Sequence, residues 1–281
     1  MDAADPRGAL ANAPGSRSWT RAFADLRQGW AQRPLWGYLG WQDIKQRYRR
    51  SVLGPLWISI SMGVIATAMG ILYGVLFGQP IETFLPYVAT GLLIWNFVSG
   101  CILEGSEVFI ANEGLIRFLP APLSLHIYRL VWRQTLFFVH NLVIWGLLIV
   151  VFPQPLDWTV VLALPAFALL VLNGAWIAVL TGIFATRFRD IPPIIASLTQ
   201  LLFFMTPIVW SYDMLQENVA GRARLAELNP VMHFVEILRQ PMLGQPIVWR
   251  HWWVAVAITV LGWAAALVCL RNYRSRVAYW V

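Results

Sequence analysis

Six stretches of this chain contain no Asp, Glu, Lys or Arg: residues 51–81, 83–103, 134–156, 158–186, 191–212 and 252–270. A helix rises about 1.5 Å per residue, so about 20 residues cross the ~30 Å hydrocarbon layer of a bilayer. Each stretch is close to that length or longer. They are continuously apolar rather than alternating, which argues against barrel strands. Only 12% of the 281 residues are charged and 58% are hydrophobic. A soluble globule carries about 25% charged residues, and a disordered chain has the opposite bias. The expectation is an all-α, polytopic membrane protein with six transmembrane helices near 57–78, 85–105, 132–152, 159–184, 193–211 and 252–271.

The basic residues orient those helices. Six spans leave both termini on one side. If that side is cytosolic, the inside segments hold every basic residue except Arg222, Arg224, Arg239 and Arg250. This is the positive-inside pattern, and it predicts a multi-pass membrane protein with both termini cytosolic. It also accounts for the net charge of +7, so a nucleic-acid partner has no support. Met1–Ser18 has no apolar core and does not read as a secretory signal peptide. Residues 1–31 are expected to form a mobile cytosolic tail, and 53–281 the six-helix domain. Cys101 and Cys269 lie in apolar runs without a CxxC partner, which leaves no basis for a disulfide framework.

Residues 32–52 are unusual, because Trp36, Tyr38, Trp41 and Tyr48 stand among charges. Pro34 can start a helix and Gly54-Pro55 ends it before the first span. An amphipathic helix lying at the membrane interface is expected, touching lipid on one side and protein on the other. Lys45, Arg47, Arg49 and Arg50 close it. They either anchor to anionic headgroups or dock a phosphate or pyrophosphate group. Two short inside loops follow. One is a helix at 112–119, with Asn112, Glu113, Leu115, Ile116, Arg117 and Phe118; the other is 187–193, with Arg189 and Asp190. Neither needs Phe118 or Phe188 in water as a plain connection, so both read as docking knobs for a cytosolic partner. The outside segment 212–246 reads as two short helices, split at Asn229-Pro230, that dip into the outer leaflet or cap an exit.

Inside the membrane, Gly70, Gly74 and Gly78 recur every fourth residue and permit close helix packing, either within the chain or at a dimer seam. Glu104 and Glu107 sit one turn apart at an inner helix end. They are expected to pair with Arg129 or Arg133, with a proton relay as the weaker reading. The chain has 16 Trp, 15 Phe and 8 Tyr. Interfacial belts explain many of them; Tyr73, Phe77, Phe203, Phe204 and Trp210 are candidates for a slippery aromatic path past which sugars slide. A Walker A loop needs GxxxxGK[ST], and the single lysine, Lys45, is not in one. No catalytic site, metal site or cofactor is expected on this chain. Uphill transport would draw its energy from another subunit.

The run Trp41-Gln-Asp-Ile-Lys-Gln-Arg-Tyr-Arg-Arg-Ser-Val-Leu-Gly-Pro-Leu-Trp57 resembles the entry segment of ABC-2 type permeases that export polysaccharides. Arg189-Asp-Ile191, Phe204-Met-Thr-Pro-Ile208 and Glu227-Leu-Asn-Pro230 follow in the same order as in that family, and the resemblance covers about residues 20–281. Asn112-Glu-Gly-Leu-Ile116 and Val277-Ala-Tyr-Trp-Val281 are most similar to the Wzm-type permeases of actinobacterial (mycobacterial) cell-wall galactan export. The resemblance implies a homodimer with two copies of a Wzt-type nucleotide-binding subunit, which would bind ATP and Mg. It implies a gate helix at about 32–50, a coupling helix at about 112–119 and a channel between protomers lined by the first and fifth spans. The substrate would be a polyprenyl-diphosphate-linked polysaccharide, its pyrophosphate at Lys45, Arg47, Arg49 and Arg50.

The expected function is therefore the membrane subunit of an ATP-driven polysaccharide exporter, with galactan as the cargo. Export of O-antigen, capsule or teichoic acid is the alternative of the same class. A drug or lipid exporter of the broader group is disfavoured by the long interfacial helix and the aromatic load. A membrane glycosyltransferase or acyltransferase is the alternative of a different class. It would have to use Glu104 with Glu107, or His233 with Glu236.

Overall fold

A computed structural model describes residues 18–47, 49, 52–54, 56–118, 121–211 and 226–281. Arg50, residue 119, the tail 1–17 and the first expected outside helix, with Arg222 and Arg224, lie outside the described residues.

The regular elements are helices: α1 (Trp19–Ala31), α2 (Arg33–Arg47), α3 (Leu56–Phe77), α4 (Ile81–Glu107), α5 (Glu113–Phe118) and α6 (Leu123–Val151). A 3-10 turn (Trp158–Leu162) leads into α7 (Ala163–Arg187), followed by α8 (Ile191–Met205), α9 (Pro230–Met242) and α10 (Trp249–Trp280). α1 occupies the later part of the expected 1–31 segment, and α2 covers most of the expected 32–52 helix. Residues from Trp19 onward are helical, and the chain turns at Gln32, whose N–H reaches back to the carbonyls of Gln28 and Gly29. Pro34 sits in the first turn of α2, where its missing N–H costs nothing.

Among the described residues, five helices are long and apolar enough to cross a membrane: α3, α4, α6, the 158–187 unit and α10. The expected fifth span at 193–211 differs. Its helix, α8, has 15 residues and stops at Met205. At 1.5 Å per residue it is about 22 Å long, short of the ~30 Å layer. Residues 206–211 continue as non-helical backbone, with Thr206, Ile208 and Val209 buried. Two other spans outrun their expected ends. α6 starts at Leu123, and α10 runs on to Trp280.

α4 is the centre of the bundle. Val88, Ala89, Leu93 and Ile94 have no exposed surface, and α3, α6, α7, α8 and α9 all pack on it. The outer spans keep large exposed apolar faces, such as Val64, Leu72, Val75 and Leu76 on α3. In water such faces would aggregate; in a bilayer they meet lipid or another chain.

The glycine row divides by role. A Cβ on Gly70 would lie 2.3 Å from Leu85 Cδ1, so α3 and α4 touch there within one chain. On Gly74 it would make only ordinary contact, 3.5 Å from Phe84 Cδ1. Gly78 is not a packing residue. It has φ +62°, with Gly78 N–H on Val75 O and Gln79 N–H on Gly74 O, and so it ends α3 in a left-handed cap.

Candidate functional site

One end of the bundle carries most of the described charges. There α2 is tied to the spans through Asp43. Arg129 of α6 donates through Nε to Asp43 Oδ2 at 2.8 Å and through Nη2 to Oδ1. Arg133, one turn later, donates through Nη1 to the same carboxylate at 2.7 Å and through Nη2 to Glu104 of α4. The Asp43 side chain is 14% exposed, and those of Arg129 and Arg133 are 20% and 22% exposed. Burial pushes the Asp43 carboxyl up, but the Arg129 and Arg133 guanidiniums outweigh it and hold its pKa below the ordinary carboxylate value. Bidentate pairing of this kind fixes orientation as well as attraction. Ile44, fully buried, and Trp41, stacked on His140 at 6.4 Å, complete the seat of α2.

With one face seated, α2 turns Lys45 and Arg47 outward, and Arg49 beyond its end is exposed too. Lys45 Nζ lies 5.7 Å from the Trp41 ring centre, and Arg47 is 4.0 Å from Glu104. Of the two inner acids, Glu104 is thus held by Arg133, while Glu107 makes no ion pair among the described residues.

α1 is tied to the same end. Asp25, 1% exposed, accepts from the backbone N–H groups of Leu123 and Ser124 at 3.2 and 3.0 Å, and from Arg274 at 3.1 Å. A carboxylate from a distant helix thereby caps the first turn of α6, where N–H groups have no partner within the helix. Asp25 and Arg274 also bring the two ends of the described chain to the same side of the bundle.

α5 stands beside them. Leu115 and Phe118 are exposed, 42% and 84%, Glu113 pairs with Arg117 at 2.8 Å, and Ile116 packs inward. Arg117 Nε donates to Val281 O at 3.0 Å. Asn112 precedes α5 and donates to Val108 O at 2.7 Å. Arg189 and Asp190 are exposed in the α7–α8 turn. The neighbouring Arg187 lies 5.7 Å from the Trp280 ring, so α5 and this turn flank the same end of α10. A groove of about 690 Å³ opens there, lined by Arg187, Phe188, Tyr273 and Arg276 among others.

The candidate aromatics fall into two groups. Tyr73 stacks on Phe77 at 5.7 Å, and the row continues through Phe84 to Tyr87. Phe203 meets Trp95 at 5.5 Å and Phe204 at 5.4 Å, and Trp210 Nε1 donates to Phe204 O. Phe204 is 60% exposed and Phe77 39%, while Tyr73 and Phe203 pack partly on the core.

The opposite end holds residues that sequence reasoning did not place. Arg239 of α9, with no exposed surface, donates through Nη1 to Pro207 O at 2.7 Å and to Glu236 at 2.9 Å. The Tyr87 hydroxyl donates to Pro207 O and Trp210 O, and Asn229 donates to the Thr206 hydroxyl. These bonds satisfy carbonyls of the non-helical backbone after α8. Arg239, placed by sequence in the outside segment, is thus a buried strut. His233 contacts His251 and the Glu227 carbonyl, and no group of His, Cys, Asp and Glu among the described residues is arranged to hold a metal.

Residues 34–243 match the ABC-2 type transporter family model. The chain belongs to that family. The match takes in α2 from residue 34, the Asp43 network, the non-helical segment after α8 and all of α9, and it ends at Leu243. Among curated proteins, it is 29% identical to the O-antigen export system permease protein RfbA of Myxococcus xanthus over 194 residues, 68% of this chain and 73% of that protein. A Klebsiella pneumoniae protein of the same name is 21% identical over 226 residues, 79% of this chain and 86% of that protein. This ABC-2 type transporter is therefore a multi-pass membrane protein.

Proposed function

We propose that this permease is the membrane subunit of an ATP-driven exporter of polyprenyl-diphosphate-linked polysaccharide in the bacterial plasma membrane. The observation that carries the reading is the family match across the interfacial helix and the spans, together with relatives named for O-antigen export. Galactan is the cargo that the Val277–Val281 ending suggests; O-antigen is the cargo that the relatives' names favour. In either case Lys45, Arg47, Arg49 and Arg50 would meet the pyrophosphate, and the bidentate geometry of guanidinium suits phosphate oxygens.

The chain makes six crossings in this reading. Arg274 meets Asp25, so the two ends of the described chain share one side, and α8 with the non-helical segment 206–211 would supply the crossing that the five long helices lack. That side is cytosolic by the positive-inside rule. α5 and the Arg189–Asp190 turn would dock two copies of an ATPase subunit, which brings its own ATP and Mg. The exposed apolar faces of α3 and α8, including Leu72, Val75, Leu201 and Phe204, would meet a second copy and line the channel. A membrane-enzyme reading is weakened because Glu104 is committed to Arg133 and Glu236 to Arg239.

Depletion of the protein in its host, followed by assay of lipid-linked glycans on each side of the membrane, tests this. Full-length polymer accumulating on the cytosolic side supports export, and its sugars name the cargo. Truncated or missing polymer without accumulation points to synthesis and overturns the reading.

A further inference from the structure

We propose that Arg129 is the positioning residue that joins the turn before α5 to the interfacial helix α2, so that movement of the ATPase-facing end is delivered to the basic end of α2. One guanidinium serves both sides. Nε and Nη2 hold the Asp43 carboxylate, and Nη1 faces Asn112 Oδ1 at 3.4 Å. Asn112 is itself fixed, because its Nδ2 donates to Val108 O at 2.7 Å. Its oxygen is therefore aimed by the backbone just before α5. Asp43 lies two residues before Lys45 and four before Arg47 on one continuous helix. Whatever moves the carboxylate moves those cations.

The other side of Arg129 has room. A pocket of about 300 Å³ is lined by Glu104, Glu107, Asn112, His126, Arg129 and Arg133. His126 is 2% exposed, and neither ring nitrogen has a hydrogen-bond partner among the described residues. Glu107 lines the same space without an ion pair among the described residues. A guanidinium released from Asp43 would find a vacant carboxylate and an imidazole there. A charged group with two sets of partners is the kind of two-state element that transmits a displacement; a static clamp has only one.

The test uses the full complex with its ATPase subunit in lipid vesicles, and has two arms. The first rests on the exporter reading above. It measures polymer moved per ATP, using lipid-linked polysaccharide extracted from the host membrane. Arg129→Gln is expected to keep basal ATP hydrolysis within about twofold while polymer per ATP falls about tenfold or more. Arg129→Lys, which keeps the charge without the fork that joins Asp43 to Asn112, is expected to recover only a small part of that loss; full recovery would overturn the joint.

The second arm needs no polysaccharide. Spin labels at Gly37 of α2 and at Gly114 of α5, two positions with open space around them, are each measured against one at exposed Leu172 of α7. ATP is expected to shift both distances in the wild type. In Arg129→Gln the Gly114 distance still shifts and the Gly37 distance does not. Equal movement at Gly37 in both proteins, or no movement at Gly37 in the wild type, overturns the joint. A wild type in which Gly37 moves but no polymer crosses overturns the exporter reading and leaves the joint standing.

Discussion

Arg239 has no exposed surface, and its guanidinium carbon lies 3.9 Å from the centre of the Tyr87 ring. Nε and Nη2 have no hydrogen-bond acceptor among the described residues, and the aromatic face shelters their charge. Gly91 makes the approach possible, because a Cβ there would lie 2.2 Å from Nη2. One side chain thereby secures α9, α4 and the non-helical Thr206–Val209 segment at once.

Arg239→Met is expected to destabilise the detergent-solubilised protein by about 3–5 kcal/mol, because it breaks a buried ion pair. Glu236, 12% exposed, loses its Arg239 partner, and Pro207 O loses its guanidinium donor. Adding Glu236→Gln is expected to recover part of the loss. Thermal unfolding of the two variants side by side checks this; a double variant no better than the single one would show that the ion pair is not the source.

Gly70 and Gly74 are expected to behave differently despite sharing one sequence pattern. Gly70→Val drives atoms into Leu85, whose Cα would lie 3.3 Å from the new Cβ, and such overpacking costs about 1–3 kcal/mol. Gly74→Ala finds ordinary contact distances and gains up to about 1 kcal/mol of helix propensity. Melting midpoints should therefore move in opposite directions. A fall for both would mean that α3 is crowded along its whole face.

Much of this fold is legible because lipid demands uninterrupted apolar length, and α3, α4, α7 and α10 meet that demand in plain sight. The short α8 is not legible. Residues 206–211 are as apolar as a span, and nothing local announces that Arg239, Tyr87 and Asn229 will satisfy their backbone from elsewhere in the chain. The basic end of α2 stands out as a run of charges. Its anchor, Asp43, does not, because a lone acid among arginines reads as solvated until Arg129 and Arg133 are brought to it from more than 80 residues away. Asp25 is hidden for the same reason. Its partners, Leu123 N–H and Ser124 N–H, are backbone groups that carry no sequence signal.

Asp25→Ala should uncap α6. The two N–H groups it serves lose their acceptor, at a cost of about 1–2 kcal/mol. Asp25→Asn keeps an oxygen for capping but drops the charge that faces Arg274, so a smaller effect is expected. Amide hydrogen exchange at Leu123 and Ser124 reads this directly: both should exchange faster in the alanine variant. Unchanged protection would place the cap elsewhere.

His233 and His251 set a pH limit on the opposite end of the bundle. Their Nδ1 atoms are 2.7 Å apart, and His233 Nε2 is 2.9 Å from the Glu227 carbonyl oxygen. A carbonyl only accepts, so Nε2 carries the proton and Nδ1 of neutral His233 accepts from His251. A further proton on His233 would set two N–H groups face to face. Burial lowers the pKa of His233 below its ordinary 6.5, and the nearby Arg250, paired with Glu227 at 2.7 Å, works in the same direction. The unfolded chain therefore binds this proton first as pH falls. The contribution is complete above about 6.5 and is lost progressively below it, toward the lower folded value. Melting midpoints measured from neutral into mildly acidic buffer should fall in the wild type and fall less steeply in His233→Gln. Identical slopes in the two proteins would assign the acid sensitivity to other groups.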